Sequence, residues 1–147
     1  MSNRSKINEV QPAGYRAVMA LEKYIENTSL TPIHRELIKI RASQINGCAF
    51  CIDMHTQDAC KAGETAQRIY ALSAWRDTPF FDEKERALLA LTEEVTLISN
   101  HVSDETYKNA ASVFDPVYLA DIILAIITIN AWNRIAITTE LEPTLRS

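Results

Sequence analysis

The sequence predicts an all-α protein, and three observations carry that prediction. Glycine occurs only three times in 147 residues, while alanine, leucine, glutamate and arginine, all good helix formers, are abundant. Apolar residues return at intervals of three and four along one segment after another. Helix punctuation stands between these segments: Thr31-Pro32, Asn46-Gly47, Asp82-x-x-Glu85 and Asp115-Pro116. Together they predict about seven helices around one core, in one domain spanning residues 1–147.

Pro12 opens a first helix whose apolar face is Tyr15, Val18, Leu21 and Ile25, and which ends near Asn27-Thr28-Ser29. Thr31 then offers a hydroxyl cap and Pro32 the first position of a second helix. Ile33, Leu37, Ile38, Ile40 and Ile45 form its buried stripe, and Asn46-Gly47 ends it. A third helix runs from Cys48 to Ala62 and closes at Gly63. Thr65 caps a short fourth helix through Ile69 and Leu72 that fades before Asp77-Thr78-Pro79. Asp82 and Glu85 make a capping box for a fifth, with Leu88, Leu91, Val95 and Ile98 at helical spacing. Ser103 caps a sixth that stops at Asp115-Pro116. The seventh, Val117 to Ile137, is the most apolar. Its length suits a membrane span, yet Asp121, Asn130, Asn133 and Arg134 interrupt it. It therefore reads as a core helix that also serves an interface, with Asp121 and Arg134 as buried partners.

Composition excludes several function classes. A net charge of −4 argues against a nucleic-acid surface, because phosphate contacts need clustered Lys and Arg. No apolar run follows Met1-Ser2-Asn3-Arg4-Ser5-Lys6, so a secretory signal is not expected, and the expected location is cytoplasmic. In that compartment a cysteine pair cycles or binds metal more often than it forms a structural framework.

The chemistry concentrates between residues 36 and 55, in the pattern E-x11-C-x2-C-x3-H: Glu36, Cys48, Cys51 and His55. At about 100° per residue, Cys48, Cys51 and His55 fall within an arc of roughly 60° on one helix face. Residues three apart on a helix are within disulfide range. A helix N-terminus and a nearby imidazole both favour thiolate, the reactive form of cysteine. Attack by one sulfur on a peroxide oxygen would leave a sulfenic acid, which the other would resolve to a disulfide. Glu36, on the preceding antiparallel helix, can orient and polarise His55.

These residues, with Arg41-Ala42-Ser43-Gln44-Ile45-Asn46-Gly47-Cys48, Lys61-Ala62-Gly63-Glu64, Leu72-Ser73-Ala74-Trp75-Arg76 and the Phe81-to-Leu97 helix, resemble the alkylhydroperoxidase AhpD core of the carboxymuconolactone decarboxylase-like superfamily. The resemblance covers most of the chain. It implies an all-helical homo-oligomer, trimeric or hexameric, that reduces peroxides with electrons from a lipoyl-bearing or thioredoxin-like partner and needs no bound cofactor or metal. It also implies that Cys51 attacks, Cys48 resolves, and Glu36 and His55 relay the proton. Certain members carry a further histidine between the cysteines, where this chain has Ala49-Phe50. The spacing agrees on the sulfurs, since His55 is one turn from Cys51 and two from Cys48.

Competing readings are weaker. Cys60 completes C-x2-C-x3-H-x4-C, close to a zinc-knuckle spacing, but on a continuous helix it points about 180° from Cys51. It reads instead as a small, partly buried side chain. His34 and His101 read as surface or capping groups, and Trp75 and Trp132 as core or interface aromatics. The alternative function is a disulfide reductase or redox-sensing protein using the same dithiol. Decarboxylation, the other activity named in the superfamily, does not call for a cysteine pair.

Overall fold

Helix boundaries follow the punctuation in the chain. The computed structural model describes residues 2–146, and among these the helices are α1 Ile7–Val10, α2 Pro12–Glu26, α3 Pro32–Asn46, α4 Ala49–Lys61, α5 Ala66–Ala71, α6 Glu83–Thr96, α7 Asp104–Val113 and α8 Pro116–Thr138. No strand occurs among the described residues, so the all-α expectation holds. Thr31 Oγ1 accepts from the His34 N–H at 3.1 Å. Asp82 and Glu85 exchange both bonds of a capping box. Asp115 accepts from the Val117 and Tyr118 N–H groups, each at 3.0 Å. Gly47 ends α3 in the left-handed region at φ 70°, which a side chain tolerates poorly.

Three boundaries differ from expectation. The extra turn α1 precedes Pro12 and carries none of the apolar periodicity that would announce it. Leu72–Asp77 continues α5 as a 3₁₀ segment rather than ending it, because Leu72 and Trp75 are both drawn into the core. Cys48 lies outside α4 as its N-cap, with extended backbone, so the helix opens one residue later than expected.

The core lies where α3 meets α4, α6 and α8. Leu37, Ile38, Ile40, Leu88, Ile122 and Ile126 are all within 1 % of complete burial. Truncating one of them to alanine costs about 2–5 kcal/mol, from lost transfer energy and the residual cavity. Helix α8 is long and apolar enough, by length and composition, to cross a membrane; here it packs against α2, α3, α4, α6 and α7.

Its polar residues have partners. Asp121 is buried and accepts from the Tyr24 hydroxyl at 2.8 Å, a bond that raises the Tyr24 pKa. Asn133 is fully buried, accepts from Asn46 at 2.9 Å and donates to Ser43 Oγ at 3.0 Å. This pins the end of α3, just ahead of Gly47-Cys48, to the C-terminal third of α8. Arg134 departs from the expectation of a buried partner: it is exposed and donates back to Asn130 on its own helix.

His34 also differs from expectation. It is half-buried among Phe114 and Tyr118, with Nδ1 2.6 Å from the Tyr118 hydroxyl. Burial lowers its pKa, against the opposing pull of Glu85 and Asp82. With the folded value below the unfolded one, the neutral ring's contribution is complete above the ordinary imidazole range. It is lost as pH falls through that range toward the folded value. His34→Gln is therefore expected to flatten the decline in stability as pH falls below about 6.5. Denaturant midpoints at pH 7 and pH 5 measure this, and an unchanged slope would refute the assignment.

Candidate active site

Helices α3 and α4 pack together across the Gly47 turn, which brings Glu36 beside His55. Glu36 Oε2 lies 3.1 Å from His55 Nδ1. A carboxylate only accepts, so Nδ1 donates, and Nε2 is left as the basic nitrogen. His55 is 5 % exposed, and the Glu36 side chain is nearly as enclosed. Cys48 and Cys51 are joined by a disulfide with Cα atoms 5.3 Å apart, and both are buried against Phe50 and Ala136. The Cys51 N–H donates to Cys48 Sγ at 3.3 Å, so the first turn of α4 presents a backbone donor to the Cys48 sulfur.

The two sulfurs face different surroundings. A cavity of about 900 Å³ is bounded by α2, α3, α4 and α8, and Cys51, Glu36 and His55 line it while Cys48 does not. Tyr15, Met19, Phe50, Met54, Trp132 and Ile135 supply apolar walls. The structure thus brings together Glu36, Cys48, Cys51 and His55. Cys60 is kept apart from the pair and is exposed, in contrast to the partly buried position expected of it. Cys60 lies near the end of α4, about 180° round the helix from Cys51, away from the buried positions Cys51 and His55.

Three further residues of this site escaped the sequence reading. Lys39, one turn after Glu36, is only 5 % exposed and lines the same cavity. Its ammonium lies 2.6 Å from Glu22 Oε1 and 3.9 Å from Glu36 Oε1. Glu22 Oε2 accepts from Trp132 Nε1 at 3.1 Å, which makes Trp132 a cavity wall with a polar anchor. The available signal was a lysine inside the apolar run Leu37-Ile38-Lys39-Ile40, since an ammonium is buried only when paired. Asp58 is the other acid near the imidazole. Glu36, His55 and Asp58 offer ligand atoms within 4.8 Å of one another, a set that shares His55 but no cysteine with the zinc-knuckle spacing. Lys39 and Lys61 already pair with its two carboxylates.

Away from this site, Glu93 accepts from Arg41, Trp75 and Arg76. Burial pushes its carboxyl up, but those bonds together hold it below the ordinary range. Trp75 is buried as expected, and its bond to Glu93 ties the 3₁₀ segment to α6 while Arg41 ties α3 to the same carboxylate.

Comparison with known proteins places the chain in a family. The carboxymuconolactone decarboxylase family model matches residues 12–94. YdfG, an uncharacterized protein of Bacillus subtilis (strain 168), is 50 % identical over 93 % of this chain and 94 % of its own length. A crystal structure of an Agrobacterium tumefaciens protein of unknown function, provisionally assigned to antioxidant defence as AhpD, superposes with a TM-score of 0.95. It is 37 % identical and covers 99 % of this chain and 100 % of that one. An uncharacterized peroxidase-related protein from Silicibacter sp. TM1040 shares the fold at a TM-score of 0.78 and 23 % identity, over 88 % of this chain and 69 % of that one. On the match across α2 to α6, the close relative and the shared AhpD-like all-helical architecture, this chain belongs to the carboxymuconolactone decarboxylase family.

Proposed function

We propose that the protein is a thiol-dependent peroxidase that cycles the Cys48–Cys51 pair between dithiol and disulfide. The observation that carries this reading is the asymmetry of the two sulfurs: Cys51 lines the cavity with His55 and Glu36, while Cys48 does not. In the reduced protein His55 takes the Cys51 proton, and the thiolate attacks the terminal oxygen of the peroxide. The O–O bond breaks, the imidazolium returns its proton to the departing alkoxide or hydroxide, and Cys51 is left as a sulfenic acid. The Cys48 thiol then attacks the Cys51 sulfur, water leaves, and the disulfide forms. A lipoyl-bearing or thioredoxin-like dithiol restores both thiols. The test is peroxide consumption with dihydrolipoamide or thioredoxin as donor. Turnover that needs both donor and enzyme supports the reading. A disulfide that dihydrolipoamide reduces, but that peroxide does not regenerate, would favour the reductase alternative.

We further propose that the protein self-associates. A groove of about 650 Å³ between α6, α7 and α8 is lined by Ile98, Tyr107, Ile123 and Ile127, and Ile127 is 47 % exposed on the most apolar helix of the chain. Light scattering is expected to give a multimer at micromolar concentration, and a monomer would count against it.

A further inference from the structure

Lys39 is the most unusual buried group near the cysteines. Its ammonium lies at the floor of the cavity between two carboxylates on different helices, Glu22 of α2 and Glu36 of α3. Removing an ammonium from water is costly, and lysine is seldom buried without a partner. A partner is present in Glu22, at 2.6 Å, and Glu22 is itself held by the Trp132 indole. The second carboxylate is the informative one. Glu36 turns Oε1 toward Lys39 and Oε2 toward His55, so the same carboxylate links the ammonium to the imidazole.

We propose that Lys39, anchored by Glu22 and Trp132, is a positioning residue for the Glu36–His55 pair. This rests on the peroxidase reading only for its purpose; the geometry concerns the reactivity of Cys51 itself. Lys39 hydrogen-bonds Glu22 and stands 3.9 Å from Glu36 Oε1, an ion-pair distance at which its charge favours the ionised carboxylate with this oxygen toward the ammonium and the other toward Nδ1. It also separates two like charges that would otherwise face each other across the cavity floor. Lys39 touches neither sulfur and acts through Glu36. With it gone, Glu36 is free to turn toward solvent or to hold a proton, and His55 loses the partner that fixes its tautomer and makes Nε2 basic.

The charged groups around this point come from three helices and the amino-terminal turn. Glu22 and Glu26 face it from α2, and Arg35 and Glu36 share α3 with it. His55 and Asp58 face it from α4, and Lys6 lies at the cavity edge. Arg35 is committed to the Glu26 carbonyl at 2.8 Å, and Asp58 to Lys61 at 3.3 Å. Among the described residues Lys39 is thus the ammonium within ion-pair distance of Glu36.

The experiment follows alkylation of Cys51 by iodoacetamide across pH, in full-length protein with Cys48→Ser and Cys60→Ser so that one thiol reports. Peroxide plays no part, so the outcome is independent of whether the protein turns peroxide over. Lys39→Met is expected to move the alkylation midpoint to higher pH by about one unit and to slow the reaction at pH 7 about tenfold. Lys39→Arg, which keeps the cation, is expected to stay within about twofold of the parent. Lys39→Met leaves Glu22 buried and unpaired, so loss of folding stability is expected as well. The paired variant Lys39→Met with Glu22→Gln removes that charge; its thermal stability is expected to recover while alkylation stays slow. Recovery of both together would show that Lys39 serves only the fold, and would overturn the proposal. An unshifted profile in a folded Lys39→Met would overturn it equally. A shifted profile in a protein that consumes no peroxide would refute the peroxidase reading and leave this one standing.

Discussion

Cys51→Ser is expected to reduce donor-dependent peroxide consumption by about 10³-fold or more, to the level of the uncatalysed reaction. The serine hydroxyl is isosteric but far less nucleophilic, so the fold is preserved while the attacking atom is lost. Cys48→Ser is expected to behave differently. It should retain a single fast reaction with peroxide and then stop, because the sulfenic acid has no neighbour to expel its oxygen. Two forces compete for the thiolate. The first turn of α4 directs the Cys51 N–H at Cys48, and a helix terminus is worth about 0.3–1 kcal/mol at an accessible site. A positioned base is worth about 10²–10⁴ in rate, which is the larger effect. The proposed base is His55, one turn beyond Cys51, and Cys51 is the sulfur that borders the cavity. Single-turnover stopped-flow measurement on both variants separates the two assignments.

His55→Ala is expected to slow the peroxide reaction by about 10²–10⁴-fold near neutral pH, with recovery as pH rises and the thiol ionises unaided. That recovery distinguishes loss of a base from collapse of the site, since a misfolded variant would gain nothing at alkaline pH. Glu36→Gln keeps a hydrogen-bond acceptor for Nδ1 at nearly the same place but removes the charge. The difference between a charge-assisted and a neutral hydrogen bond is about 1–1.5 kcal/mol, which predicts a loss of about tenfold. A Glu36→Gln enzyme slower than His55→Ala would contradict the order of roles. Rates across pH 6–9 for the two variants provide the check.

The helices were legible because their ends carry local chemistry. Thr31-Pro32, Gly47, Asp82 with Glu85, and Asp115 each act through bonds within one turn, so the sequence displays both partners. Helical period alone groups Cys51 with His55 on α4, Cys48 joins them as the N-cap bonded to Cys51, and Glu36 once α3 folds back at Gly47. What the sequence concealed depends on contacts distant along the chain. Lys39 acquires meaning from Glu22, seventeen residues away, and Glu22 from Trp132, 110 residues away. Neither separation leaves a periodic trace. His34 looked like a helix-start residue because its neighbours Phe114 and Tyr118 arrive with α7 and α8. Arg134 looked buried because it lies in an apolar run, yet α8 is not covered on every side, and Arg134 faces outward. The identity of Cys51 as the cavity-facing sulfur is likewise tertiary: α2 and α8 enclose the space on its side of the pair.

The assignment of the two sulfurs is tested most directly by where oxygen first lands. Reduced Cys48→Ser protein is treated with one equivalent of peroxide in the presence of dimedone, and the modified residue is located by fragment-ion mass spectrometry. A dimedone adduct is expected on Cys51, formed at the rate of peroxide loss, with Cys60 unmodified. An adduct confined to Cys60, or a fast adduct on Cys48 in the reciprocal Cys51→Ser protein, would contradict it.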